Sequence, residues 1–140
     1  TLFIGILDTR TGEVVYANGG HNPPRRLAAG GAVAAVPAKT NMVVGAMDGR
    51  TFARETLVLE PGEALFLYTD GVTEAIDEAA TLYGEERMDR RLAALPPQAP
   101  VAEIVGGIVA DVAAFSGAQE QSDDITLLVL RRDPAGAKYA

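Results

Sequence analysis

The chain has no cysteine and no tryptophan, a single histidine, and 12 lysines and arginines against 19 acids. Without cysteine there is no disulfide, no thiolate nucleophile and no sulfur-ligated metal, and a reducing compartment such as the cytoplasm is the expected setting. One imidazole rules out a three-histidine zinc site, and a Ser-His-Asp triad would have to be built around His21. A net charge of -7 and a pI near 4.6 leave no clustered basic surface for phosphate backbones, so nucleic acid is not an expected partner. No apolar run approaches the roughly 20 residues that span a bilayer, so no membrane contact is expected from this segment.

What is present suits one domain: 140 residues, 48% of them hydrophobic, enough for a core. Residue 1 is threonine and residues 2 to 7 read as a strand at once, so the sequence is read as part of a larger domain that starts in the middle of a sheet. Residues 2 to 7 and 13 to 17, separated by turn chemistry at Asp8 to Gly12, are expected to form a hairpin. The loop Asn18-Gly19-Gly20-His21-Asn22-Pro23-Pro24 continues neither strand nor helix. A lone histidine in such a loop more often holds the backbone than does chemistry. Short strands are expected at 25 to 27, 33 to 36 and 41 to 44. A strand at 52 to 59 should pair antiparallel with 64 to 68 across the turn Glu60-Pro61-Gly62-Glu63. Helical spacing follows at 84 to 95 (Met88, Leu92, Leu95) and at 101 to 115 (Val101, Ile104, Val105, Ile108, Val109, Val112, Phe115). Gly106 and Gly107 in the second helix point to close packing on a sheet.

The chain is organised around residues 64 to 75, ALFLYTDGVTEA. The apolar run 64 to 68 is too short for an ordinary helix and suits a strand covered on both faces. Asp70 stands where that strand ends, either as a functional carboxylate at the lip of a rigid scaffold or, with Thr69, as a cap on a short helix near Val72. A second apolar strand, 125 to 130, is preceded by Asp123 and Asp124. If the two strands are antiparallel neighbours, about 4.8 Å apart, Asp70 and the Asp123-Asp124 pair share one sheet edge. Carboxylates brought that close favour a cation between them, and an all-oxygen set suits magnesium or manganese. Successive strand residues face opposite ways, so Asp123 and Asp124 should not both serve one ion. The alternative is a solvated turn between helix and strand.

TLFIGILDTRTGEVVYANGGHNPP, VVGAMDG, LEPGEALFLYTDGVTEA, YGEERM and QSDDITLLVLR, in that order, resemble the second half of the metal-dependent protein phosphatase (PPM, type 2C-like) domain, in its bacterial sporulation stage II E branch. The resemblance covers residues 1 to 132 as the C-terminal portion of such a domain and leaves 133 to 140 as a tail. It implies an α+β fold, an antiparallel β-sandwich flanked by helices (αββα) and incomplete at the N-terminus. It also implies a serine/threonine protein phosphatase of a bacterial signalling protein, with two Mn2+ or Mg2+ ions in the complete domain. Water activated by the ions would attack phosphoserine or phosphothreonine without a covalent intermediate. By position, Asp70 and Asp123 would be metal ligands, with Gly71, Asp124, Glu74 and His21 around them, and His21 in a structural role. A phosphoprotein substrate is implied, an anti-sigma-factor antagonist by family analogy.

The family's first half, which carries a D-V-x-G-H-G stretch with the bridging carboxylate, has no counterpart here. The expectation is therefore weak metal binding and little phosphatase activity from these residues alone. A non-catalytic interaction module with a degenerate phosphatase fold is the alternative, and the retention of Asp70 and Asp123 counts against it. The apolar edge at 2 to 7 offers a route to a homodimer.

Overall fold

The computed structural model describes residues 1–39 and 42–134. Among the described residues, seven strands form two antiparallel sheets. In the first, β1 (Leu2–Leu7), β2 (Glu13–Gly19) and β5 (Glu55–Val58) run in the order β1-β2-β5; in the second, β3 (Arg25–Leu27), β4 (Val33–Ala35), β6 (Ala64–Tyr68) and β7 (Leu127–Arg131) run β4-β3-β6-β7. The helices are a single turn, α1 (Asp70–Thr73), then α2 (Gly84–Ala93) and α3 (Val101–Ser116). The α+β sandwich flanked by helices is the expected fold class, and among the described residues no helix is long and apolar enough to cross a membrane.

β6 is the spine because alternate side chains serve two cores. Phe66 and Tyr68 face α2 and α3, in a core with Val72, Met88, Leu92, Ile104, Ile108 and Val112. Leu65 and Leu67 face the other sheet, in a core with Val14, Tyr16, Val36 and Leu59. That two-sided burial explains why the segment is continuously apolar. Along β1 only one face is used: Phe3 and Leu7 pack inward, and Ile4 and Ile6 remain exposed on an edge strand.

The expected pairing of residues 52 to 59 with 64 to 68 is not formed. β5 pairs with β2, and β6 pairs with β3 and β7. The turn itself has the anticipated geometry, with Gly62 at φ 89° and the Glu63 amide on the Glu60 carbonyl at 2.9 Å. It changes sheets: the Leu59 amide still bonds Gly12 beside β2, whereas Gly62 and Glu63 already exchange hydrogen bonds with Arg132 beyond β7. Leu59, fully buried between the sheets, anchors the crossing. Arg132 locks it from outside, donating to the carbonyls of Arg10, Thr11 and Leu59.

Two further expectations change. Met42 and Val43 are not strand residues, and Asn41, where that strand was placed to begin, lies outside the described residues. On α3 the buried stripe is Ile104, Ile108 and Val112, while Val101 and Val109 are exposed. Gly107 meets α2 and not a sheet: a Cβ there would lie 3.2 Å from Arg91 Nη2, and Gly106 faces open space. Of the tail, residues 135–140 lie outside the described residues.

Candidate metal-binding edge

β6 and β7 are antiparallel neighbours whose last regular pair is Tyr68 with Leu127. The ladder runs one step further, the Thr69 amide donating to the Thr126 carbonyl at 3.1 Å. Asp70 and the Asp123-Asp124 pair therefore leave the sheet at the same edge. Thr69 ties the two strand ends together: its hydroxyl donates to the Asp124 carbonyl at 2.8 Å and accepts from the Thr126 amide at 2.9 Å. Gly71 then passes so close to the second strand end that a Cβ would lie 2.6 Å from the Asp124 carbonyl oxygen and 3.0 Å from that of Asp123. A glycine is required here by close backbone approach.

The capping reading of this segment does not hold. Thr69 occupies the position before α1 but makes no side-chain cap, because its hydroxyl is used across the sheet. The Asp70 carboxylate accepts no hydrogen bond among the described residues and is exposed. Asp123 is also exposed, and its Oδ1 accepts the Asp124 amide at 2.7 Å. Glu74 stands one turn beyond Asp70, exposed, with its amide on the Asp70 carbonyl at 2.8 Å.

His21 borders the same edge. The Asn18 side chain brackets it, donating to the His21 carbonyl and accepting from its amide, both at 2.8 Å. Its Nδ1 lies 3.5 Å from Thr1 Oγ1. Burial pushes the imidazole below its ordinary pKa, while the Asp70 carboxylate pulls the other way. Asp70 thus acts on the ring through space.

Oxygen donors such as these two exposed carboxylates are the ligand type that hard divalent cations take. Among the described residues no group of three or more His, Asp or Glu side chains converges on a metal position.

One cluster behind the edge escapes a motif search. The Arg25 guanidinium, almost wholly buried, pairs with Glu85 at 2.9 Å and Asp89 at 2.8 Å and donates to the Pro23 carbonyl at 2.8 Å. It lies 5.5 Å from the centre of the Tyr68 ring, and the Tyr68 hydroxyl donates to Glu85 at 2.9 Å. Burial raises the Glu85 carboxyl, but the Tyr68 hydroxyl and Arg25 outweigh it and hold its pKa below the usual carboxylate value. This cluster fastens β3, β6, α2 and the histidine loop together. The available signal was an arginine inside a strand, which needs an acidic partner where it is buried.

The family model for Stage II sporulation protein E (SpoIIE) matches residues 1–133. The chain belongs to the SpoIIE family. A curated relative, Protein IcfG of Synechocystis sp., is 33% identical over 133 residues, covering 95% of this chain and 20% of its own length. The structure of the RsbU and RsbW domains of Rv1364c from Mycobacterium tuberculosis superposes with a TM-score of 0.73 at 27% identity, over 94% of this chain and 35% of that one. The phosphatase domain of the cell fate determinant SpoIIE from Bacillus subtilis, presoaked with Mn, gives a TM-score of 0.75 at 22% identity, over 99% of this chain and 59% of that one. The chain thus has the fold of SpoIIE-type phosphatase domains and spans less than two thirds of each of these relatives.

Proposed function

We propose that this chain is the C-terminal portion, residues 1 to 132, of a metal-dependent serine/threonine phosphatase domain in a cytoplasmic bacterial signalling protein. The carrying observation is the juxtaposition of Asp70 and Asp123 on one sheet edge, latched by Thr69, in a chain of SpoIIE family and fold. Asp70 and Asp123 hold Mn2+ or Mg2+, and the manganese-presoaked relative supports that choice. When bound, such ions neutralise phosphoryl charge and activate water for attack at phosphorus. The chain's own residues set the geometry: Thr69 and Gly71 fix the spacing of the two strand ends, Asp124 closes the turn, and Asn18 holds His21 beside Asp70. The substrate is a phosphoprotein, by family analogy an anti-sigma-factor antagonist.

Calorimetric titration with manganese tests the ligands. Asp70→Asn and Asp123→Asn should each weaken binding about tenfold or more, a loss of at least about 1.4 kcal/mol; unchanged binding in both refutes the assignment. Residues 1 to 140 alone should turn over little p-nitrophenyl phosphate, since two carboxylates do not complete a two-ion centre. Steady manganese-dependent turnover lost in Asp70→Asn would overturn that half of the reading. A homodimer through the exposed β1 edge is part of the proposal, supported by Ile4 and Ile6 at 57% and 74% exposure. A monomeric mass in light scattering over a wide concentration range would dispose of it.

A further inference from the structure

Beside the carboxylate edge lies a cavity of about 230 Å³, between α1, the C-terminal end of α3 and the loop that leads to Asp123. Its wall includes Gly71 and Ser122, the residues next in sequence to Asp70 and Asp123. Val112 is buried at its floor, and Ile76, Val109 and Ile125 complete an apolar lining, with Val109 47% exposed. Resting on the phosphatase reading above, we propose that this cavity receives an apolar side chain of the phosphoprotein substrate, a few residues from the phosphorylated one.

Three observations select that occupant. The cavity is smaller than the roughly 300–1,000 Å³ of ordinary small-molecule sites, and its size suits one aliphatic or aromatic side chain. Its lining contains no lysine or arginine and one carboxylate, Glu120, so it has no cationic side chain to hold a phosphate or another anion. It is also continuous with the edge through Gly71 and Ser122. An extended peptide advances about 3.3–3.6 Å per residue, so a chain whose phosphoryl group sits at Asp70 and Asp123 reaches the cavity within a few residues. The exposed Val109 is then apolar surface that the bound substrate covers. The cavity would act in substrate selection and would take no part in the chemical step.

The test uses the full-length protein with manganese and phosphoserine peptides of alanine, in which one leucine is walked from four residues before the phosphoserine to four after. The readout is the ratio of kcat/KM for each leucine peptide to the all-alanine peptide. In wild type one position should give a ratio of about ten or more, the scale expected for burying one leucine side chain. Ala113→Trp, which fills the cavity from its rim, and Val109→Asp, which charges its mouth, should bring that ratio close to one. Ala114→Trp, one residue further along α3 and outside the cavity, should keep the wild-type ratio. No preferred position in wild type, or a preference that survives both cavity variants, overturns the inference. A ratio lost equally in Ala114→Trp overturns it too, since the effect would then belong to the helix and not the cavity. Wild-type turnover of p-nitrophenyl phosphate separates the two readings: if it is present and no leucine position is preferred, only the cavity inference fails. If it is absent, the phosphatase reading fails and the inference with it.

Discussion

Thr69 and Asp124, 55 residues apart in sequence, are joined by a 2.8 Å hydrogen bond from hydroxyl to carbonyl, and the same hydroxyl accepts the Thr126 amide at 2.9 Å. Regular pairing between β6 and β7 ends one residue earlier, at Tyr68 and Leu127. The threonine therefore carries the register of the sheet into the segment where the acids stand. Spacing between carboxylates on two strands is only as fixed as the backbones that bear them, and here one side chain uses both its donor and its acceptor to fix it.

Thr69→Val keeps the shape and removes both bonds, leaving the Asp124 carbonyl and Thr126 amide without their partner. Because the edge is exposed, water replaces part of the loss, and a cost of about 1–2 kcal/mol is expected. Urea denaturation measures it, and manganese calorimetry should show weaker binding in the same variant. Thr69→Ser should recover both. A valine variant with wild-type stability and affinity would mean that the latch is idle.

Gly71→Ala tests the close approach. The added Cβ would meet the backbone oxygens of Asp124 at 2.6 Å and Asp123 at 3.0 Å, and no side-chain rotation relieves a clash with backbone. The strand ends must separate, at a cost of about 1–3 kcal/mol for overpacking. Manganese affinity should fall with stability, since the displaced segment carries Asp123. Stability lost with affinity retained would uncouple Gly71 from the candidate site.

That Asp70 and the Asp123-Asp124 pair leave the sheet at one edge was legible in the sequence because each flanks a continuous apolar run, although only β6 is buried on both faces and β7 is an edge strand with Leu128 and Leu130 exposed. The β1–β2 hairpin and α3 were legible for the same kind of reason, each having a clear period or turn. The pairing of β5 was not: Pro61 and Gly62 specify a turn, and turn chemistry does not say whether the chain stays in its sheet. That was decided by Leu59, whose burial between the sheets is a tertiary fact. Thr69 was hidden too, because a threonine before an aspartate and glycine reads as a local cap while its partners lie 55 and 57 residues away. Gly107 lies on the side of α3 turned to Arg91 and Leu95, a choice of neighbour that helical spacing alone does not specify.

Arg25→Leu should cost about 3 kcal/mol, the low end for breaking a buried ion pair, because the two acids left behind are partly exposed and can hydrate. Glu85 and Asp89 side chains are 55% and 40% exposed against 3% for Arg25. The loss should reach the histidine loop through the Pro23 carbonyl, so faster amide hydrogen exchange at His21 is expected alongside lower stability. Exchange unchanged at His21 would confine Arg25 to holding α2 on the sheet.

The tyrosines give a pH dependence with a defined sign. Burial raises the Tyr68 phenol well above its ordinary 10.0, reinforced by its hydrogen bond to Glu85 and opposed by Arg25. Burial likewise raises Tyr83, reinforced by Asp111, whose Oδ2 accepts its hydroxyl proton at 2.6 Å, and opposed by Arg87. In both cases the folded state keeps a proton that the unfolded chain releases near pH 10. The stabilisation is therefore complete below about pH 10 and is lost as pH rises above it, at up to about 1.4 kcal/mol per pH unit for each phenol. Tyr16, also raised by burial and by Glu55, adds to the same loss. Urea unfolding between about pH 9.5 and 11 should show wild-type stability falling steeply. The Tyr68→Phe, Tyr83→Phe double variant should be less stable at neutral pH, having lost two hydrogen bonds, yet fall with a shallower slope because two of the three linked protons are gone. Parallel slopes in the two proteins would mean that the phenols titrate alike folded and unfolded, and that the Tyr68 and Tyr83 hydrogen bonds to Glu85 and Asp111 do not hold their protons.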